Sequence, residues 1–140
     1  MHVFNSLYPT YSQLQSEIQR DELNIVLKGP LENVQEELSN NDLFVMSSRN
    51  EGFGMAAVEA MASGLPLLLS NLPVFHEVTF DNAVFFDITN PTSFATLIKE
   101  IFEGKHHLNQ LSKNGIEIAK QYNKEKYLAG LYSIYHQILQ

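Results

Sequence analysis

Apolar residues gather in short unbroken runs, separated by stretches in which they recur every three or four positions. The runs HVFN (2–5), NIVLK (24–28), LFVMS (43–47), LPLLLS (65–70) and AVFFD (83–87) each have the length of a strand buried on both faces. Between them, Leu14 and Ile18 predict a helix over about 10–21, and Val34 with Leu38 predicts one over 31–40. A third helix is expected over 54–63. Strands alternating with helices imply a Rossmann-like α/β fold, a parallel sheet of about five strands with helices on both faces.

After Asp87 the strand-like runs stop. NPTSFATLIKEIFEG, HHLNQLSKNGIEIAKQYN and KEKYLAGLYSIYHQIL all carry helical spacing, so the C-terminal end is expected to be helical. Asn90 followed by Pro91 predicts a capped helix start, and Gly104 predicts its stop. No repeat, low-complexity tract or Pro/Gly/Ser linker divides the chain. The expectation is one domain over 1–140, with an α/β body over 1–122 and a terminal helix over 123–140.

Composition narrows the function classes. A chain of 140 residues with 44% hydrophobic and 18% charged residues suits one folded core rather than disorder. The formal net charge of -7, with nine Lys and Arg scattered among sixteen acids, argues against a nucleic-acid partner and against adhesion to anionic lipid. The absence of Cys excludes a disulfide framework, thiolate catalysis and Cys-ligated zinc. The opening MHVFNSLYPT lacks a basic region followed by a long apolar stretch, which leaves a cytoplasmic location as the expectation.

Ser47 to Pro66, SSRNEGFGMAAVEAMASGLP, is where chemistry concentrates. In doubly wound sheets ligands bind beyond the carboxyl ends of strands, and this loop follows one such end. Gly52 and Gly54 let backbone approach a ligand, and the first amides of the following helix lack internal partners, so an anion such as phosphate fits there. Glu51 in the loop and Glu59 one to two turns into the helix bracket that turn, about 8 Å or more apart at ~1.5 Å rise per residue. Two acids beside a phosphate are suited to accepting hydrogen bonds from hydroxyls on either side of it, as in a nucleotide-diphosphate sugar. The competing reading is a plain turn, with Glu51 favouring the helix dipole and the alanines letting a helix sit close to a sheet. Against it stands Glu59 among Ala56, Ala57, Val58, Ala60, Met61 and Ala62, where a buried carboxylate would be costly unless satisfied.

The segment DLFVMSSRNEGFGMAAVEAMASGLPLLLSN resembles the signature of the retaining glycosyltransferases of family 4, which have the GT-B fold. It carries a Glu-x7-Glu pair, Glu51 and Glu59, around Gly-Phe-Gly, then an Ala-rich helix and a Gly-x-Pro strand entry. The flanks NIVLKGPLENVQEELSNND and NLPVFHEV are similar to that family too, extending the resemblance over about residues 1–122. The resemblance implies the donor-binding half of a GT-B enzyme that transfers a hexose or N-acetylhexosamine, with retention, from a UDP-linked donor. The implied acceptor is a glycan or lipid-linked chain, as in polysaccharide or lipopolysaccharide synthesis. It implies that Glu51 holds donor-sugar hydroxyls, that backbone around Gly52, Phe53, Gly54 and Met55 meets sugar and diphosphate, and that Glu59 takes the ribose hydroxyls. Leu27, Lys28 and Pro30 match the loop that cradles the base. No metal or other cofactor is implied.

Two departures qualify the resemblance. The Arg and Lys that neutralise the diphosphate in the family have no counterpart, with Lys28 a poor substitute, and NSLYP stands where Gly-Asp-Gly-Pro is expected. The chain also lacks the family's acceptor-binding domain, so it is expected to be a fragment inactive by itself, from a parent that could sit at the cytoplasmic face of a membrane. A non-catalytic nucleotide-diphosphate binding or interaction module is the alternative.

Other residues are weaker candidates. Adjacent His106 and His107 point to different sides of a helix and disfavour a metal site. His76 and Glu77 follow Pro73, with Glu77 expected to cap or hydrogen-bond a loop. Ser70, at a strand end, suits either a phosphate contact or a turn closure. Tyr127, Leu128, Leu131, Tyr132, Ile134, Tyr135, Ile138 and Leu139 make the last helix apolar over more than one stripe, which predicts self-association through 124–139.

Overall fold

Four consecutive residues, Leu67 to Ser70, are buried on both sides of one strand, and the fold of the C-terminal part is organised around them. The structure is a computed structural model and describes residues 9–139. Two compact units divide the chain, with the boundary between Val34 and Gln35.

In the first unit, α1 spans Pro9–Arg20 and matches the helix expected over 10–21. It ends at Arg20, whose Nε and Nη2 donate to Asp21 Oδ1 and Oδ2, both at 2.8 Å. The NIVLK run forms no strand, which corrects the expectation for 24–28. Ile25 bonds only locally, to Leu23 O at 2.8 Å, and Val26 is 75% exposed, so an apolar run without a ladder neighbour stays irregular. The strand expected at 2–5 lies outside the described residues.

α2 (Val34–Ser39) starts at the last residue of the first unit and is shorter than the helix expected over 31–40. Then come β1 (Phe44–Met46), α3 (Met55–Ala62), β2 (Leu67–Ser70), α4 (Pro73–Thr79) and β3 (Val84–Phe86). The strands form one parallel sheet in the order β1-β2-β3, with Phe44 opposite Leu67 and Leu68 opposite Val84. Among the described residues the sheet has three strands rather than the five expected. The α/β, Rossmann-like parallel character stands.

Side-chain alternation sorts the core into two clusters. Leu67 and Leu69 point to one face, where they meet Ala57, Val58, Ala60 and Met61 of α3 and Phe75 and Val78 of α4. Leu68, Val84 and Phe86 point to the other, against Phe94, Leu97, Ile98 and Ile101 of α5 (Pro91–Phe102). Each fully buried Leu contributes on the order of 1.5–3 kcal/mol, which makes β2 the least replaceable element. Asn90 caps α5 by accepting from Ser93 N at 3.0 Å, as its sequence predicts. Gly104, at φ 73, ends the helix with its amide on Ile101 O and the Lys105 amide on Glu100 O, both at 3.0 Å.

The remainder is helical, as expected: α6 (Leu108–Ala119), a 3-10 turn (Lys120–Tyr122) and α7 (Lys124–Ile138). α6 lies close on α3 because Gly115 is buried there, with Met61 Cγ 3.4 Å from where a Cβ would stand. Asn82 Nδ2 donates to Leu111 O at 2.8 Å and Ser112 Oγ to Gly64 O at 2.6 Å, tying α6 down at both levels. No helix among the described residues is long and apolar enough to cross a membrane.

Candidate functional site

β1 runs out at Met46, and the chain turns over the carboxyl end of the sheet before entering α3 at Met55. Glu51 organises that turn. Its Oε1 accepts from three successive backbone amides, Gly52 at 3.0 Å, Phe53 at 3.4 Å and Gly54 at 3.2 Å. The turn is thus an anion cradle, and a carboxylate of the chain itself occupies it. The backbone at Gly52, Phe53 and Gly54, which the resemblance implies meets sugar and diphosphate, has its amides satisfied by Glu51. The amides of Met55 and Ala56, in the first turn of α3, have no acceptor among the described residues.

Gly54 makes this geometry possible. It is buried in the left-handed region, φ 88 and ψ 39, and a Cβ there would stand 3.1 Å from Phe75 Cε1. Ala57 N and Val58 N both donate to Gly54 O, at 2.9 and 3.2 Å, which starts the helix. Behind the turn, the buried Ser70 hydroxyl donates to Ser48 O at 2.7 Å. Of its two expected roles, Ser70 therefore has the structural one, closing the loop onto the end of β2.

Glu59 is exposed, and its carboxylate has no hydrogen bond among the described residues. This corrects its expected burial among the alanines. Ala57, Ala60 and Met61 form the inward stripe of α3, while Met55, Glu59 and Ala62 form the outward one at spacings of four and three. Helical side chains lean toward the N-terminus, so Glu59 shares with exposed Met55 the side that leads back to the turn. Glu51 and Glu59 are thus brought to one helix start, one anchored and one free in solvent.

Leu27, Lys28 and Pro30, the expected base contacts, belong to the first unit, where Lys28 and Pro30 are exposed and Leu27 is half-buried. Arg49, two residues before Glu51, is exposed and is the only Lys or Arg between Lys28 and Lys99.

Glu77 is exposed and makes no side-chain hydrogen bond among the described residues, which corrects its expected capping role. The neighbouring His76 does that work: Nδ1 lies 2.6 Å from Asp81 Oδ1 and Nε2 2.6 Å from Asn71 Oδ1, with the ring stacked on Phe85 at 3.8 Å. His106 Nε2 stands 3.6 Å from Glu100 Oε2, and no group of three or more His, Asp or Glu among the described residues is arranged to hold a metal. A shallow groove of about 510 Å³ lies elsewhere, between β3 and α5, lined by Asp87, Asn90, Ser93, Thr96 and Glu100. Asp87 there is held below the usual carboxylate range by the Thr89 hydroxyl and then the Thr89 amide. None of the expected donor residues reaches that groove.

Comparison with known proteins places the chain in a family. Residues 7–118 match the family described as Glycosyl transferases group 1. The O-antigen biosynthesis glycosyltransferase WclY of Escherichia coli is 37% identical over 73 residues, 52% of this chain and 21% of WclY. An uncharacterized glycosyltransferase of Methanocaldococcus jannaschii is 31% identical over 96 residues, 67% of this chain and 27% of that protein. The chain therefore spans about a quarter of the length of these relatives. Among solved structures, the pneumococcal O-GlcNAc transferase GtfA in complex with UDP and GlcNAc superposes with a TM-score of 0.75 at 22% identity, over 92% of this chain and 28% of that one. At that identity the likeness concerns the fold.

Proposed function

Because the chain belongs to the Glycosyl transferases group 1 family, we propose that the turn after β1 receives the sugar and diphosphate of a nucleotide-diphosphate sugar. The proposed donor is UDP-linked and carries a hexose or N-acetylhexosamine. In this reading the whole protein is a retaining glycosyltransferase of family 4, and this chain is its donor-binding part. Its acceptor is a glycan or lipid-linked chain in polysaccharide or lipopolysaccharide synthesis, met at the cytoplasmic face of a membrane. No metal or other cofactor is assigned to the reaction.

One observation carries the reading: Glu51 is fixed by three amides through a single oxygen. A carboxylate held that way presents its second oxygen in a set direction, as orienting a sugar hydroxyl requires. Glu51 holds the donor sugar, with backbone at Gly52, Phe53, Gly54 and Met55 around it. The Met55 and Ala56 amides stabilise the charge that develops on the leaving diphosphate, the kind of electrostatic contribution that is commonly the largest in catalysis. Glu59 takes the ribose hydroxyls. The exposed apolar side chains of α7, Tyr132, Tyr135 and Ile138 among them, support self-association through 124–139.

Calorimetric titration of the full-length protein with a panel of nucleotide sugars tests the assignment, repeated with Glu51→Ala and Glu59→Ala. Loss of sugar discrimination in the first and of nucleotide affinity in the second is expected; unchanged binding in both refutes it. The scarcity of cations favours a second reading, a nucleotide-diphosphate binding module without turnover. Restored transfer on joining this chain to an acceptor domain separates the two.

A further inference from the structure

We propose that Tyr122 is a positioning residue for the turn Glu51–Gly54, so that the junction of α6 and α7 sets how Glu51 is presented. The inference rests on the donor-site reading of that turn. Phe53, at the tip, is 45% exposed and packs edge-to-face on Tyr122, with ring centroids 5.7 Å apart and an interplanar angle of 83°. The Tyr122 hydroxyl donates to Val78 O at 2.9 Å, on the same α4 whose Phe75 lies beneath Gly54.

One side chain therefore grips the turn from outside, through Phe53, and fastens to the helix that supports it from below. Without the Tyr122 ring, Phe53 loses a lateral aromatic partner, and the amides that hold Glu51 Oε1 lose the contact that keeps them convergent. Asn123, the next residue, caps α7 by accepting from Lys126 N at 2.8 Å. The start of α7 therefore directly adjoins the residue that packs on Phe53.

The test uses the full chain as wild type, Tyr122→Ala, Tyr122→Phe and Phe53→Ala. Amide exchange at Gly52, Phe53 and Gly54 is followed by NMR, with Leu68 and Leu69 as internal standards, and UDP-GlcNAc and UDP binding by calorimetry. Tyr122→Ala should speed exchange at the turn and weaken UDP-GlcNAc binding, each by about 5- to 10-fold, while UDP changes by less than about 2-fold. Tyr122→Phe keeps the ring and should restore most of both, and Phe53→Ala should reproduce the loss at Gly52 and Gly54. Unchanged exchange at the turn in Tyr122→Ala, or equal acceleration at Leu68 and Leu69 in both alanine variants, overturns the inference. So does unaltered UDP-GlcNAc binding in Tyr122→Ala when the wild type binds. A wild type that binds neither compound refutes the donor reading, and the exchange measurements then decide the role of Tyr122 by themselves.

Discussion

The ring of Phe75 occupies the space a side chain on Gly54 would need, its Cε1 only 3.1 Å from the missing Cβ. Gly54→Ala meets two costs at once, a residue forced to φ 88 and a steric conflict with a fully buried ring. We expect a loss of about 2–4 kcal/mol by urea denaturation. Adding Phe75→Ala removes the conflict but not the backbone strain, so the double variant should lose less than the sum of the singles.

Glu51 separates charge from hydrogen bonding. Glu51→Gln retains an acceptor oxygen for the amides of Gly52, Phe53 and Gly54 and should cost under about 1 kcal/mol, whereas Glu51→Ala strands them and should cost about 1–2 kcal/mol. In full-length protein, Glu51→Ala should lower transfer from the sugar nucleotide by about 100-fold or more while binding of the nucleotide diphosphate falls far less. Equal losses for nucleotide and sugar nucleotide would remove Glu51 from the sugar.

The contact of α3 with α6 is set by Gly115. A Cβ there would meet Met61 Cγ at 3.4 Å and Asn82 Nδ2 at 3.6 Å, which is ordinary packing distance. Gly115→Ala should lie within about 1 kcal/mol of wild type, helped by helix propensity. Gly115→Val adds methyls with nowhere to go and should cost about 1–3 kcal/mol in thermal or urea unfolding.

Tyr122 supplies a pH dependence on the alkaline side. Burial first, and the Glu77 charge second, push its phenol above the ordinary value of 10.0. The unfolded chain then ionises before the folded one, so the contribution is fully present below pH 10.0 and is lost as pH rises through the folded pKa. Ultraviolet titration should show a late phenolate phase that Tyr122→Phe removes, and the variant should lose less stability than wild type over the same rise.

How much of this was legible depends on whether a feature is local. The sheet runs around Val45, Leu68 and Phe85, the helix after Gly54, the Asn90 cap and the Gly104 stop all follow from short patterns, and the structure has them. NIVLK has the same pattern as a strand, but a strand exists only when another backbone pairs with it, which periodicity does not encode. Leu72 offers no side-chain cap to mark the start of α4, and Pro73 at the first helical position is its one local sign. The site was half legible. Spacing brought Glu51 and Glu59 to one helix start, but composition alone misjudged Glu59, where counting the stripe Ala57, Ala60 and Met61 would have put it outside. The bond from Glu51 to its own turn was invisible, since it depends on the backbone angles of Gly54.

Because a carboxylate already quiets the amides at the strand's exit, the loop owes its shape to folding and not to whatever it meets later. An arriving molecule would find a finished contour, so encounter should be fast and little slowed by rearrangement. Selection among candidates would then fall to the one oxygen that Glu51 leaves unspent.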